Sequence, residues 1–385
     1  MNHPAPVTLV QKLVARSLGE APGPAPGNHR VPVSVYTDPQ RFEQERQRLF
    51  LNRPLIIGHQ SQIPNPGDAI VQDWLGLPMI TLRDSQGQVG TFLNVCRHRG
   101  MRLVQEQGQT CLRSLVCPYH NWTYGTDGAL RNIPRQESFT DVDTADLGLV
   151  RLPTEVRHGL IWVQADRESP MDLDAHLAGM GSDLEVFETS SYRFSQHHSR
   201  TVNCNWKLIQ DAFLDGYHVT RLHKKTVGSF FPDSLAESDL IGNHIRSAVA
   251  RNEIEEAIGL PAEAMDLRRQ ATFSYTTFPN AVLIFHPDYT SIISLFPQSA
   301  DQTMFVHTML TPEPPRNDKE RDHYRRSFEL IDQGVFQAED IFVSEGAQLG
   351  MRSGANSSLL FGALEESATW FHDITERELS RISRP

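Results

Sequence analysis

The chain has 385 residues, a net charge of −11, 39% hydrophobic residues and 22% charged residues, which fits a globular protein of one large or two smaller domains. The negative charge argues against general nucleic-acid binding, and no apolar run approaches the ~18 residues that a membrane span needs. The N-terminus lacks a charged-then-apolar signal segment, so we expect a cytoplasmic protein.

The first part of the chain predicts an N-terminal arm followed by a small β domain. Residues 1–35 are rich in Pro, Gly and Ala, and we expect residues 1–40 to form a short helix near residues 7–17 followed by a loose arm. A helix is predicted at 38–52. Short β-runs separated by turn signals then continue to about residue 166. We therefore assign residues 41–166 to an all-β domain.

Two short motifs in this domain each combine one cysteine with one histidine. They are Cys96-x-His98 and Cys117-x-x-His120. In a Rieske [2Fe–2S] cluster two thiolates bind one iron and two imidazoles bind the other, so one ligand of each type per loop suits this cluster. A structural zinc site is the competing interpretation, because zinc also accepts two cysteines and two histidines. Zinc sites usually group like ligands, so the spacing favours a Rieske cluster.

After residue 166 the pattern changes to helices, a sheet and helices again. A helical stretch is predicted at 172–188 and a strand at 192–202. Four regularly spaced β-runs indicate an antiparallel sheet: 272–277, 281–286, 290–296 and 303–311. Helices at 318–348 and 365–384 follow. This order predicts an α+β catalytic domain over residues 167–385.

The stretch 205–223 is predicted to be helical and contains Asp215, His218 and His223. Asp215 and His218 are three residues apart, so a helix would place them on one face. His223 lies five residues beyond His218, so the helix must bend, loosen or end near 219–221 if both rings are to reach one metal. Two histidines and a carboxylate form the facial triad of non-haem Fe(II) oxygenases. Two nearby histidines alone are more often ordinary surface or core residues.

Together, the Cys/His loops and the histidine-bearing stretch resemble the Rieske non-haem iron oxygenases of the aromatic-ring-hydroxylating type, specifically their α (terminal oxygenase) subunit. Residues 94–100 and 117–124 resemble the two cluster loops, and residues 205–223 resemble the iron helix. The likeness extends from about residue 40 onwards. In two places the chain departs from the usual pattern. Asn121 replaces Gly after the second cluster histidine, and Asp211-Ala212 replaces Glu-Asn.

The resemblance implies a helix-grip catalytic domain, a Rieske [2Fe–2S] cluster held by the two Cys/His loops, and a mononuclear Fe(II). It implies that His218 and His223 bind this iron together with Asp340, which matches the family's C-terminal acidic position. Glu339 would point about 100° away from Asp340 on an α-helix. The remaining acidic residues considered on this helix are expected to be solvated surface charges: Asp322, Asp332 and Glu345.

The resemblance also assigns Asp215 to electron transfer between subunits. In the family, the cluster of a neighbouring subunit lies closer to the iron than the subunit's own cluster. Asp215 would bridge His218 and the neighbour's copy of His120, which requires a closed ring of subunits, usually a homotrimer. No nicotinamide- or flavin-binding motif is recognisable, so a separate NAD(P)H-dependent reductase, with or without a ferredoxin, is implied.

The expected function is therefore that of a terminal oxygenase for a small organic substrate. Monooxygenation, dioxygenation and demethylation share these ligands, so the sequence does not choose among them. An aromatic substrate, as in aromatic hydrocarbon catabolism, is favoured over a quaternary amine. Lys224-Lys225 beside His223 weakly favours a carboxylated aromatic, although such a pair more often faces solvent. The alternative class is a Rieske electron-transfer or redox protein, which would need no iron triad.

Overall fold

The computed structural model describes residues 5–25, 27–140 and 142–381. The chain forms two compact units, one at 50–171 and one built from the residues before 50 and after 171. The predicted domain limits 1–40, 41–166 and 167–385 remain a prediction, and the outermost residues of the predicted arm and C-terminal helix lie outside the described ranges. No helix within those ranges is long and apolar enough to cross a membrane.

The unit at 50–171 is built from three antiparallel sheets, in agreement with the predicted β-runs. One sheet has five strands in the order Arg151–Leu152, Val89–Leu93, Met79–Arg83, Asp68–Gln72 and Gly108–Cys111. The two three-stranded sheets contain Thr154–Arg157, Leu160–Val163 and Leu55–His59, and Leu115–Val116, Thr123–Tyr124 and Leu130–Asn132. A connection such as that after Arg83 turns through Gly87, whose positive φ of 80° suits glycine.

The other unit is organised around a seven-stranded antiparallel sheet. Its strand order is Arg193–Val202, Gln302–Thr311, Thr290–Ser299, Ala281–Phe285, Ala271–Thr277, His244–Ala250 and Ala236–Ile241. The last two strands are not predicted by the sequence, because Ser238, Arg246 and Ser247 interrupt the apolar alternation that identifies a strand. The α+β class and the antiparallel sheet are confirmed.

Helices surround this sheet. They are Ala5–Ser17, Ser34–Thr37, Pro39–Glu45, Leu173–Leu177, Met180–Val186, Trp206–Leu214, Val219–Leu222, Leu267–Gln270, Asp318–Glu329, Phe342–Met351 and Glu366–Ser380, with a π-helical segment at Leu330–Ile341. The single helix predicted at 172–188 is wrong, since Ala178 and Gly179 adopt left-handed backbone and divide it.

The N-terminal region is packed rather than loose. The helix Ala5–Ser17 buries one apolar face, which includes Leu9, Val10 and Leu13. It contacts the strands Ala236–Ile241 and His244–Ala250 of the same unit. Strand Asn28–Pro32 then pairs antiparallel with Ser358–Gly362. The short helix predicted near residues 7–17 is therefore present, whereas the expected loose arm is corrected at Asn28–Pro32, because its backbone groups pair with a strand far along the chain.

Asp332 is buried, with 1% of its side chain exposed, and is not the solvated charge that the sequence predicts. His198 Nδ1 lies 2.8 Å from its Oδ2, His307 Nδ1 lies 3.2 Å from its Oδ1, and the Arg200 guanidinium also donates to it. His198 and His307 are cross-strand partners, so the sheet itself brings these groups together. Burial alone would raise the pKa of Asp332, but the hydrogen bonds from the two histidines outweigh it and lower the pKa to about 2.

We expect Asp332→Asn to lower the free energy of unfolding by about 2–4 kcal/mol, because it removes the buried anion shared by the buried His307, the largely buried Arg200 and the half-exposed His198. Asp322→Asn is the matched control, since Asp322 is 45% exposed and should change stability by less than about 0.5 kcal/mol. Urea denaturation would measure both. A carboxylate whose folded pKa is depressed stabilises the fold above its unfolded pKa, so the difference should shrink as pH falls from about 4 towards 2. Equal effects of the two substitutions would contradict this role.

Candidate metal centres

The two Cys/His loops share one backbone geometry. The backbone N–H groups of Cys96 and Cys117 each donate to the carbonyl five residues ahead, at 2.8 Å. The residue four positions after each cysteine donates back to the cysteine carbonyl and has a left-handed backbone: Gly100 at φ 72° and Asn121 at φ 56°. Asn tolerates this region better than most residues other than Gly. The departure at Asn121 therefore keeps the turn.

The side chains of these loops converge. Cys96 and Cys117 are 2% and 1% exposed and belong to the hydrophobic core of the unit. The rings of His98 and His120 are 4.6 Å apart, and the Nδ1 atom of each is buried without a hydrogen-bond partner in the described part of the chain. Two buried thiols and two buried ring nitrogens without partners fit the ligand set of a Rieske cluster. Trp122 stacks on His98 at 4.9 Å and is 3% exposed, so it helps to exclude water.

His218 and His223, the predicted iron ligands, lie beyond the end of a helix, not within one. Helix Trp206–Leu214 ends before Asp215, whose backbone is extended at φ −98° and ψ 101°. The prediction that one helix carries both Asp215 and His218 is therefore wrong. His218 instead precedes the short helix Val219–Leu222. This early break lets His218 and His223 turn towards each other, with their Nε2 atoms 3.0 Å apart.

Asp340 completes a three-ligand group. Its Oδ1 lies 3.5 Å from His218 Nε2 and 3.3 Å from His223 Nε2, and one ligand atom from each side chain lies within 4.8 Å of the others. Asp340 Oδ1 is buried and has no hydrogen-bond partner among the described residues. Two imidazole nitrogens and one carboxylate oxygen meeting at one point fit a mononuclear Fe(II).

The electrostatics of this group favour a cation. Burial raises the pKa of Asp340, but His218 and His223 outweigh that effect and hold the pKa below its usual value. Burial lowers the pKa of His218, but the carboxylates of Asp215 and Asp340 raise it to about 10. The negative potential that would keep a proton here would also stabilise a bound metal ion.

Glu339 contacts the other nitrogen of His223, which the sequence does not predict. Its Oε2 lies 2.7 Å from His223 Nδ1 and accepts a hydrogen bond from Thr226 Oγ1 at 2.7 Å. Glu339 and Asp340 lie in the π-helical segment Leu330–Ile341, so the 100° separation expected of an α-helix does not apply. A carboxylate at Nδ1 fixes the tautomer that leaves the Nε2 lone pair for a metal.

Asp215 contacts His218 loosely. Its Oδ2 lies 3.5 Å from His218 Nδ1, which is too long for a good hydrogen bond, and its Oδ1 accepts from the backbone N–H of Tyr217 at 2.6 Å. The side chain is 19% exposed and one oxygen is not strongly engaged. The bridging role of Asp215 stays a prediction.

A cavity of about 590 Å³ within this unit borders the three-ligand group. Ala212 lies in its wall, where the commoner Asn would place an amide. Its aromatic lining residues are Phe213, Tyr217, Phe230, Phe231, Tyr289, Phe336 and Trp370. The volume and the mixed lining suit a small organic molecule.

Two family profiles match the chain over most of its length. The ring hydroxylating alpha subunit (catalytic domain) matches residues 182–380, and the Rieske [2Fe-2S] domain matches residues 53–151. The chain belongs to the ring-hydroxylating alpha subunit family. The predicted family, fold class and pair of cofactors, a [2Fe–2S] cluster and a mononuclear iron, are confirmed at this level, and the Rieske match overturns the zinc interpretation.

Relatives within this family include oxygenases of more than one kind. The alpha subunit of biphenyl 2,3-dioxygenase from Rhodococcus jostii (strain RHA1) is 33% identical over 218 residues, 55% of this chain and 47% of the relative. Chloroplastic choline monooxygenase from Spinacia oleracea is 25% identical over 336 residues, 86% of this chain and 73% of the relative. The chain thus spans about half the length of the first of these relatives.

The fold is shared with a solved structure, that of the quaternary ammonium Rieske monooxygenase CntA in complex with L-carnitine. The TM-score is 0.77 at 19% identity, and the match covers 98% of this chain and 100% of the other.

We expect Glu339→Gln to weaken iron binding about 10–100-fold, because a neutral amide holds the His223 ring less firmly than a carboxylate. The control is Glu329→Gln, since Glu329 is exposed and pairs with Arg325. Iron content after equilibration with a chelator would measure the effect, and the cluster absorbance should stay unchanged. Unaltered iron retention in Glu339→Gln would refute the positioning role.

Proposed function

We propose that the chain is the terminal oxygenase component that uses O₂ to hydroxylate, dihydroxylate or demethylate a small organic substrate. The main support is the convergence of His218 Nε2, His223 Nε2 and Asp340 Oδ1 at a cavity of small-molecule size. When bound, iron supplies O₂ activation and the cluster supplies one-electron transfer. A separate NAD(P)H-dependent reductase, with or without a ferredoxin, a homotrimeric assembly and a cytoplasmic location belong to the same proposal.

The residues of the two candidate sites have separate roles in this proposal. His218, His223 and Asp340 would hold the metal, and the cavity that they border would receive the substrate. Glu339 orients His223. In the other unit, Cys96, His98, Cys117 and His120 hold the cluster. The buried ring of Trp122 keeps water from His98.

An aromatic substrate is the leading proposal, because aromatic side chains line much of the cavity and offer flat stacking surfaces. A quaternary amine is the second candidate. It is supported by the choline monooxygenase match, which covers 86% of the chain, and aromatic rings also bind quaternary ammonium groups.

Asp340→Ala should remove the mononuclear iron and product formation while leaving the cluster spectrum intact. We expect about three irons per chain in the native protein and about two in the variant, because only the cluster would remain. Iron quantitation, together with O₂ uptake and product analysis using a surrogate reductase, would test both points. Asp322→Ala serves as control. A native protein with only two irons per chain would instead indicate the electron-transfer class.

We further propose that Asp215 accepts hydrogen bonds from His218 and from His120 of a neighbouring subunit. Asp215→Asn keeps the size of the side chain but loses the charge and one acceptor, so it cannot accept from two imidazoles as a carboxylate does. We expect both metal sites to stay filled while cluster oxidation in a single turnover becomes slow. If Asp215 only positions His218, iron content and activity should fall together. A strictly monomeric active enzyme would exclude the bridge.

A further inference from the structure

The cavity has a polar wall formed by one face of the sheet. Side chains on this face alternate along three neighbouring strands, and their cross-strand pairs match: Ser238 opposite Ser247 opposite Ser274, and Ala236 opposite Val249 opposite Thr272. Arg251 lies two residues beyond Val249, and its backbone N–H donates to the carbonyl of Gln270, which continues the same pairing. Arg251 therefore lies on the cavity face.

Arg251 is held by two aromatic rings and by one long ion pair. Its guanidinium lies over the rings of Phe230 and Phe231, at 5.5 Å and 5.6 Å. Its nearest carboxylate is Glu253, with Nε and Oε2 3.6 Å apart, beyond hydrogen-bond distance. Only 14% of the Arg251 side chain is exposed. Within the described ranges, the guanidinium donates no hydrogen bond.

Two other arginines of this region, Arg268 and Arg16, do donate hydrogen bonds to the protein. Arg268 donates to the carbonyls of His286, Tyr289 and Phe187. Arg16 donates to Glu237 at 2.7 Å. A guanidinium that borders a cavity and donates no hydrogen bond to the protein can bind an anion there through charge-assisted hydrogen bonds. Of these three arginines, Arg251 is therefore the one whose guanidinium donors are available to an anionic ligand in the cavity.

Two further polar groups near Arg251 also lack partners. His286 Nε2 and Thr272 Oγ1 are buried, border the cavity, and have no hydrogen-bond partner in the part of the chain that is described. Thr272 and His286 immediately flank the cross-strand pair Phe273–Phe285, so they lie on the same face. Burial, reinforced by nearby cationic groups, lowers the pKa of His286 to about 3, so its ring is neutral and has one N–H to donate.

The arginine is linked to the iron site through a short segment. Phe230, beneath the guanidinium, ends a turn that begins at Gly228, and Gly228 N donates to the carbonyl of His223 at 2.8 Å. A Cβ at Gly228 would lie 2.8 Å from that carbonyl oxygen, so the segment is closely packed against the ligand histidine. The cavity thus has a metal-binding part and a cationic part held together by one tight turn.

We propose that the substrate carries a carboxylate, which the Arg251 guanidinium binds while His286 and Thr272 donate to its oxygens. This inference rests on the proposed oxygenase function, because it concerns the same cavity. The remainder of the substrate lies along the aromatic lining towards His218, His223 and Asp340. Lys224 and Lys225 do not provide this charge, since both are exposed and neither borders the cavity. An aromatic carboxylate and a carboxylated quaternary amine both supply the required group.

Equilibrium binding to the metal-loaded protein under anaerobic conditions separates the two sources. Calorimetric titrations would compare benzoate with its uncharged isostere benzamide, and glycine betaine with choline, which lacks the carboxylate. We expect the carboxylated member of one pair to bind at least about tenfold more tightly than its counterpart. The pair that shows this ratio tells whether the substrate is an aromatic carboxylate or a carboxylated quaternary amine.

Arg251→Gln should reduce that ratio to near one and leave the affinity of the counterpart without a carboxylate largely unchanged. Arg251→Lys should keep part of the ratio, because it retains the charge and loses the planar fork. Arg269→Gln is the control, since Arg269 is exposed and pairs with Glu256. A purely structural role would weaken both members of a pair equally, so the ratio would not change.

The inference is overturned if neither carboxylate binds more tightly than its counterpart, or if Arg251→Gln leaves the ratio intact. Other outcomes distinguish a failure of the proposed oxygenase function from a failure of the carboxylate site. An Arg251-dependent ratio without any oxygenated product would refute the oxygenase and keep the carboxylate site. Oxygenation of compounds without a carboxylate, together with a ratio of one, would support the oxygenase and refute the carboxylate site.

Discussion

The catalytic unit depends on one imidazole held from both sides. His223 has Glu339 at Nδ1 and Asp340 at Nε2, although His223 and Glu339 are 116 residues apart in the sequence. These two consecutive carboxylates contact the two nitrogens of one ring from a segment that is π-helical. Eight residues earlier in this segment, Asp332 ties it to the sheet through His198, His307 and Arg200. The position of the ligands therefore follows from strand pairing far from the metal site.

The helix that leads to the histidines is fixed by a second set of buried polar contacts. Asp211 accepts a hydrogen bond from Tyr36 Oη at 2.7 Å, and His372 Nε2 lies 2.9 Å from its other oxygen. Lys207 and Glu45 form a fully buried ion pair at 2.6 Å. Buried pairs of this kind often add little net stability, but breaking one partner is costly. They favour one position of the helix over alternatives displaced along its axis.

The sequence indicates the candidate ligand residues better than it indicates the contacts that hold those residues in place. Cys96, His98, Cys117 and His120 are recognisable because each loop is local, and a left-handed turn at Gly100 or Asn121 needs no distant partner. The regular apolar strands are predicted for the same reason. The burial of Asp332 and the contact of Glu339 with His223 depend on cross-strand register and on the π-helical turn, which local periodicity does not encode. The strands Ala236–Ile241 and His244–Ala250 escape prediction because their cavity face is polar.

The pairing of Asn28–Pro32 with Ser358–Gly362 has a consequence for how the protein is made. On a ribosome that adds about 5–20 residues per second, the first strand waits roughly 15–60 s before its partner emerges. The unit at 50–171 is continuous in sequence and is complete well before that time. During synthesis, the cluster-binding unit can thus be folded while the N-terminal strand still has no partner. The four Cys/His residues of the cluster loops are thus all synthesised before His218, His223 and Asp340.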